Sequence, residues 1–149
     1  MSFIDLGDEY NDVQESKPLP EGKYFLRVQD VTEVNEGGKH YLKIIHVTDD
    51  DMSDELGFVP SPVMHILSLP QITDDEKDVN AGRDAGTTTR FKLLNLKRYL
   101  THFQCPMDGS SFQVEDLFGL TAKSVIRHED YEGRPQAKLL VPQLESEAV

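Results

Sequence analysis

From Lys23 onward the chain alternates with a period of two: Tyr24, Leu26 and Val28 share one face, and Lys23, Phe25, Arg27 and Gln29 the other. This is the pattern of a strand with one face buried. It predicts a first strand running to about Val34, followed by the turn NEGGKH, whose glycines permit positive φ. Tyr24 and Phe25 are adjacent, so one of the two rings packs inward. A second strand follows in HYLKIIHVT, rich in β-branched residues, and an aspartate run ends it. SPVMHILSLP is a third strand, with prolines toward its ends, where strands tolerate them. DDDMSDELGFVP, between the second and third, reads as an acidic turn or longer loop, and QITDDEKDVNAGRDAG, after the third, as a long polar loop.

The period then changes. In TTTRFKLLNLKRYLTHF the apolar residues Phe91, Leu94, Leu96, Tyr99, Leu100 and Phe103 recur mostly every third or fourth position, which predicts an amphipathic helix with a threonine as N-cap. Arg90, Lys92, Lys97 and Arg98 hold its other face, with no acid among them. CPMDGSS ends the helix, and FQVEDLFGL forms a turn of helix or a loop before a fourth strand, LTAKSVIRHE. DYEGRP connects to a fifth, QAKLLVP. The predicted fold is mainly β: three strands, one helix, then a closing hairpin, the order of a five-stranded oligonucleotide/oligosaccharide-binding (OB) barrel. Residues 1–20 form an acidic, loosely structured segment, 21–142 the domain, and 143–149 a short acidic tail.

Composition sharpens this picture through charge. The formal net charge is −12, but the acids concentrate in residues 1–21, 49–55 and 74–84, and the rest of the chain is near neutral. A local basic groove is therefore compatible with an acidic total. The single cysteine, Cys105, has no internal disulfide partner, and MSFIDLGDEY lacks the layout of a signal peptide, which together point to the cytoplasm. No run reaches the length of a membrane span.

Several chemistries are set aside on spacing. The five histidines show no HxxxH, and there is no CxxC, so no zinc site or other cofactor is expected. DDDMSDELG opens like a calcium loop but has Asp54 where glycine is needed and Pro60 where the bidentate glutamate belongs. GRDAGTTT lacks the lysine of a phosphate-cradling loop. Carboxylates for a two-metal nuclease lie in loops without a lysine partner, and no catalytic constellation is expected.

On an OB barrel the ligand loops join strands 1–2 and 4–5. These are NEGGKH and HEDYEGRP, and the strands beside them are basic and aromatic. Phe25, Tyr41 and Tyr131 are the expected stacking rings. Arg27, Lys39, Lys43, Lys123, Arg127, Arg134 and Lys138 are the expected phosphate contacts. Cations track a phosphate backbone, and aromatic faces stack on unpaired bases of any identity.

Four segments, LPEGKYFLRVQDVTEV, GKHYLKIIHVTDD, ILSLP and DLFGLTAKSVIRHEDYEGRPQAKLLVP, resemble small bacteriophage single-stranded DNA-binding proteins over roughly residues 18–142. The likeness is one of layout: an EG-x-Y start, a Y-L-K second strand, a DL-x-GL run before the fourth strand and a YEG turn, which carry over Tyr24, Tyr41, Lys43, Tyr131 and Gly133. The resemblance implies an OB fold that coats unpaired DNA in the host cytoplasm. It also implies recruitment of phage replication or recombination enzymes through an acidic C-terminal tail. Here LESEAV has only Glu145 and Glu147, and the acidic N-terminal FIDLGDEYNDVQE is the substitute on offer. Strand 3 or 5 could also pair across a homo-oligomer. The alternative reading is an acidic protein-interaction module or DNA mimic, in which the carboxylate rows are the functional surface.

Overall fold

The computed structural model describes residues 2–13 and 15–145. Five strands form one antiparallel sheet: β1 (Gly22–Glu36), β2 (Lys39–Thr48), β3 (Val63–Ser68), β4 (Thr121–Tyr131) and β5 (Arg134–Leu140), in the order β3-β2-β1-β4-β5. The central β1 is long enough to serve two neighbours. Its first residues pair with β4 (Gly22 to Ile126 through Arg27 to Thr121), and from Leu26 onward it pairs with β2. Between Val28 and Asp30 the register shifts by one residue, a bulge that bends the strand and reverses which positions face inward. Leu26 and Val28 are buried before it, Val31 after it. The bend curls the open sheet until its edge strands β3 and β5 come within 8 Å of each other, Cα to Cα, without a hydrogen-bonded ladder between them.

The inward side chains of the alternating strands meet one helix. Leu42, Ile44, Val63, Leu67, Ile126 and Leu139 pack with Leu96, Tyr99 and Leu100 of helix α4 (Thr87–His102) and with Phe103. One polar link ties the sheet to the helix. The buried His46 ring donates from Nδ1 to the Val63 carbonyl (3.0 Å), which leaves Nε2 to accept from the Tyr99 hydroxyl (2.7 Å). Tyr24 is the inward member of its adjacent aromatic pair and donates to the Pro20 carbonyl, while Phe25 is 60% exposed. Leu19, in the predicted loose segment, is buried in the core.

Three helical turns were not expected. Glu9–Asp12 (α1) and Ser53–Leu56 (α2) are single turns in the acidic stretches. The more informative is α3 (Asp74–Asn80), inside the segment expected to be a long polar loop. DDEKDVN has no apolar stripe, and its one large apolar residue, Val79, is exposed. Buried carboxylates hold it instead. Asp74 accepts from Lys92 Nζ with both oxygens (3.0 Å each) and from the Gln71 amide (2.8 Å). Asp78 accepts from Arg83 Nε (3.0 Å), the Thr88 amide (2.9 Å) and the Thr88 hydroxyl. Asp78 thereby caps α4 from outside: the N-cap position itself is Gly86, where a threonine was expected, and it offers no side chain. The 3₁₀ turn at Val114–Leu117 leads into β4, as FQVEDLFGL predicted. Of the acidic tail, residues 146–149, including Glu147, lie outside the described residues.

Candidate nucleic-acid interface

Two tight turns set the positions of the basic hairpins. Gly37 and Gly38 (φ 60° and 75°) close β1 to β2, and Glu132 and Gly133 (φ 52° and 80°) close β4 to β5. Two consecutive positive φ values match the twist of the flanking strands and fix the register. In the closing hairpin that register puts Arg127 directly opposite Lys138, and Tyr131 directly opposite Arg134. Residues directly opposite share a face, here the face away from the core. Tyr131 is 58% exposed. Glu129, on the same face, makes a half-exposed ion pair with Lys138 (3.4 Å) and offsets part of this charge.

A second group lies on β1 and β4. Phe25 stands opposite Lys123, whose Nζ is 6.0 Å from the ring centroid, within cation–π range. Arg27 shares this face but is turned to Asp49, with Nη1 3.2 Å from both the carboxylate and the backbone carbonyl. The first acid of the aspartate run thus neutralises one expected phosphate contact.

The third group, Lys39, Tyr41 and Lys43, is farther off. Tyr41 pairs with Val34, nine residues along β1 from Phe25, which at ~3.3 Å per residue is about 30 Å of strand. The ten residues therefore do not make one cluster. They form a patch on the central strands (Phe25, Arg27, Lys123), the closing hairpin (Arg127, Tyr131, Arg134, Lys138) and the far end of β2 (Lys39, Tyr41, Lys43). Lys39 and Tyr41 border a groove beside Ser68 of β3, and Arg134 and Lys138 border another beside His65 and Ile66 of the same strand. The edge strand β3 consequently lies between the two hairpins.

The helix contributes differently from its sequence pattern. Phe91, assigned to the apolar face, is 64% exposed, whereas Lys92 on the basic face is mostly buried against Asp74. An apolar period cannot tell a ring that faces the core from one that sits just past its edge. The titrating groups nearby follow burial: His65 is lowered first by burial and then by the neighbouring Lys138 charge, so it is neutral in the fold at pH 7. Among the described residues no helix is long and apolar enough to cross a membrane. A scan against protein-family models finds no match to this chain, and a search of curated proteins finds none either.

Proposed function

We propose that this protein binds single-stranded DNA without strong sequence preference, on a sheet curled into a partly open OB-type barrel, and serves phage DNA replication or recombination in the host cytoplasm. The observation that carries the reading is the outer face of the closing hairpin. A net charge of −12 is set against Arg127 beside Lys138 and Tyr131 beside Arg134 on adjacent strands. Like charges directly opposite each other destabilise a sheet, and a bound phosphate backbone removes that penalty. Exposed rings beside cations, at Tyr131 and again at Phe25, supply stacking of roughly 1–3 kcal/mol per base without reading its identity. The strand order supports the barrel, because β3 and β5 face one another across the gap that an OB barrel closes only in part.

The test is a fluorescence-anisotropy titration of labelled oligo-dT at low and moderate salt, with duplex of equal length as competitor and the Arg127→Glu/Arg134→Glu double variant as control. Salt-sensitive binding that duplex does not displace and the double variant lacks is the expected outcome. Absence of binding at low salt, where attraction to phosphate is greatest, would overturn the proposal.

One observation favours the second reading, an acidic interaction module. In the N-terminal segment Phe3, Ile4, Leu6, Tyr10 and Val13 are each more than 60% exposed and are interleaved with Asp5, Asp8, Glu9 and Asp12. On that reading charge reversal at Arg127 and Arg134 leaves the function intact, and deletion of residues 2–13 removes it.

A further inference from the structure

Between β3, β5 and α4 runs a groove of about 520 Å³, within the ~300–1,000 Å³ of ordinary ligand sites. Among the described residues no carboxylate lines it, although the chain has 27 acids in 149 residues. Its walls carry Lys92, Arg98 and Lys138, the neutral His65, and Phe91, whose ring is 64% exposed at the rim. Asp74 holds Lys92 and Glu129 pairs with Lys138, which reduces the local charge, and Glu129 and Glu15 line the adjoining groove at Arg134.

The groove also shares wall residues with two neighbouring grooves. Through Ser68 and Lys92 it meets the groove at Lys39 and Tyr41, beside the β1–β2 hairpin. Through His65, Ile66 and Lys138 it meets the one at Arg134, beside the β4–β5 hairpin. Together the three grooves make a trough along the β3 edge that reaches from one hairpin to the other, an extent that suits a chain rather than a single small molecule.

We infer that this trough is the path of the bound strand, with a base stacked on Phe91 and phosphates beside Arg98 and Lys138. The inference rests on the single-strand reading above. It moves the binding surface from the back of the curled sheet, where Phe25 and Lys123 lie, to the seam between its edges, and adds Phe91 and Arg98 to the interface.

Oligo-dT carrying one 5-iodouracil is crosslinked to the full chain and mapped by mass spectrometry, alongside anisotropy titrations of Phe91→Ala, Phe91→Tyr and Arg98→Ala. Circular dichroism melts report whether each variant is folded. Expected are a crosslink at Phe91, a roughly 5- to 150-fold loss of affinity in Phe91→Ala and retention in Phe91→Tyr. Arg98→Ala should lower the salt slope by about 0.7. If the wild type binds and the Arg127→Glu/Arg134→Glu variant does not, while the Phe91 and Arg98 variants bind normally and the crosslink maps elsewhere, the trough is overturned and the single-strand reading stands. If the wild type fails to bind, both fall. Equal displacement of the oligonucleotide by dTMP would also overturn the trough, since it would mark a site for a single nucleotide.

Discussion

The His46 link between sheet and helix makes fold stability depend on pH in a calculable way. Burial lowers the His46 pKa from 6.5 to about 4, against an opposing effect of the Val63 carbonyl, and the neighbouring His65 and His102 act in the same direction as burial. Between these two values the unfolded chain takes up a proton that the folded chain excludes. The stabilisation is complete above pH 6.5 and is lost as pH falls toward 4. At about 1.4 kcal/mol per unit, the full loss is about 3 kcal/mol, of which about 2 kcal/mol is gone by pH 5. That is a large share of the ~5–15 kcal/mol that holds a domain together. Asp74 and Asp78 add little in this window. For Asp74 the Gln71 amide and Lys92 outweigh burial, and for Asp78 the two Thr88 bonds lead, so both carboxyls are held below the usual range and titrate at lower pH. His65 and His102, also lowered by burial, add to the fall. Urea denaturation at pH 7.5 and pH 5 measures the difference, with His46→Gln as comparison. The variant should be less stable at pH 7.5 because the Tyr99 hydroxyl and Val63 carbonyl lose a well-placed partner, at ~1–3 kcal/mol. It should lose about 2 kcal/mol less than wild type on going to pH 5. Equal losses in the two proteins would refute the argument.

Other outcomes follow from other contacts. Phe25→Ala should weaken oligo-dT binding about tenfold if bases reach the central patch; if the strand keeps to the β3 edge, anisotropy will show no change. Asp78→Ala should lower the melting temperature and release the Thr88 amide to early hydrogen exchange, because Arg83 and the start of α4 lose their shared acceptor; unchanged protection at Thr88 would contradict the capping role. Cys105 is buried, and burial, followed by the Asp116 charge, raises its thiol pKa. It should therefore react with a disulfide reagent slowly in the folded protein and rapidly in urea, and fast reaction without denaturant would count against the packing described.

The strands and the long helix were legible in the chain because burial on one face imposes a period of two or of about 3.6 on the residues themselves. Leu26, Val28, Leu42, Ile44, Leu96 and Leu100 follow those periods and are buried. The two hairpins were legible for a similarly local reason, since Gly37, Gly38 and Gly133 permit the backbone that each turn needs. What the periods could not carry was any structure held by groups distant in sequence. Helix α3 has no apolar stripe to announce it, and it exists because Asp74 and Asp78 find Lys92 and Thr88 on the next helix. The same limit applied to the candidate surface. Composition could name ten basic and aromatic residues, but a one-residue bulge after Val28 and the curl of the sheet separated them into three groups. Phe91 was assigned to the core because a helical period records direction around the axis and not how far the opposing sheet extends. The sequence by itself determined which residues alternate, turn and repeat, all properties of neighbours along the chain. Only the tertiary structure decided which charges meet, which ring stays in solvent, and that grooves along the β3 edge reach from one hairpin to the other, because those depend on the curl that brings β3 alongside β5.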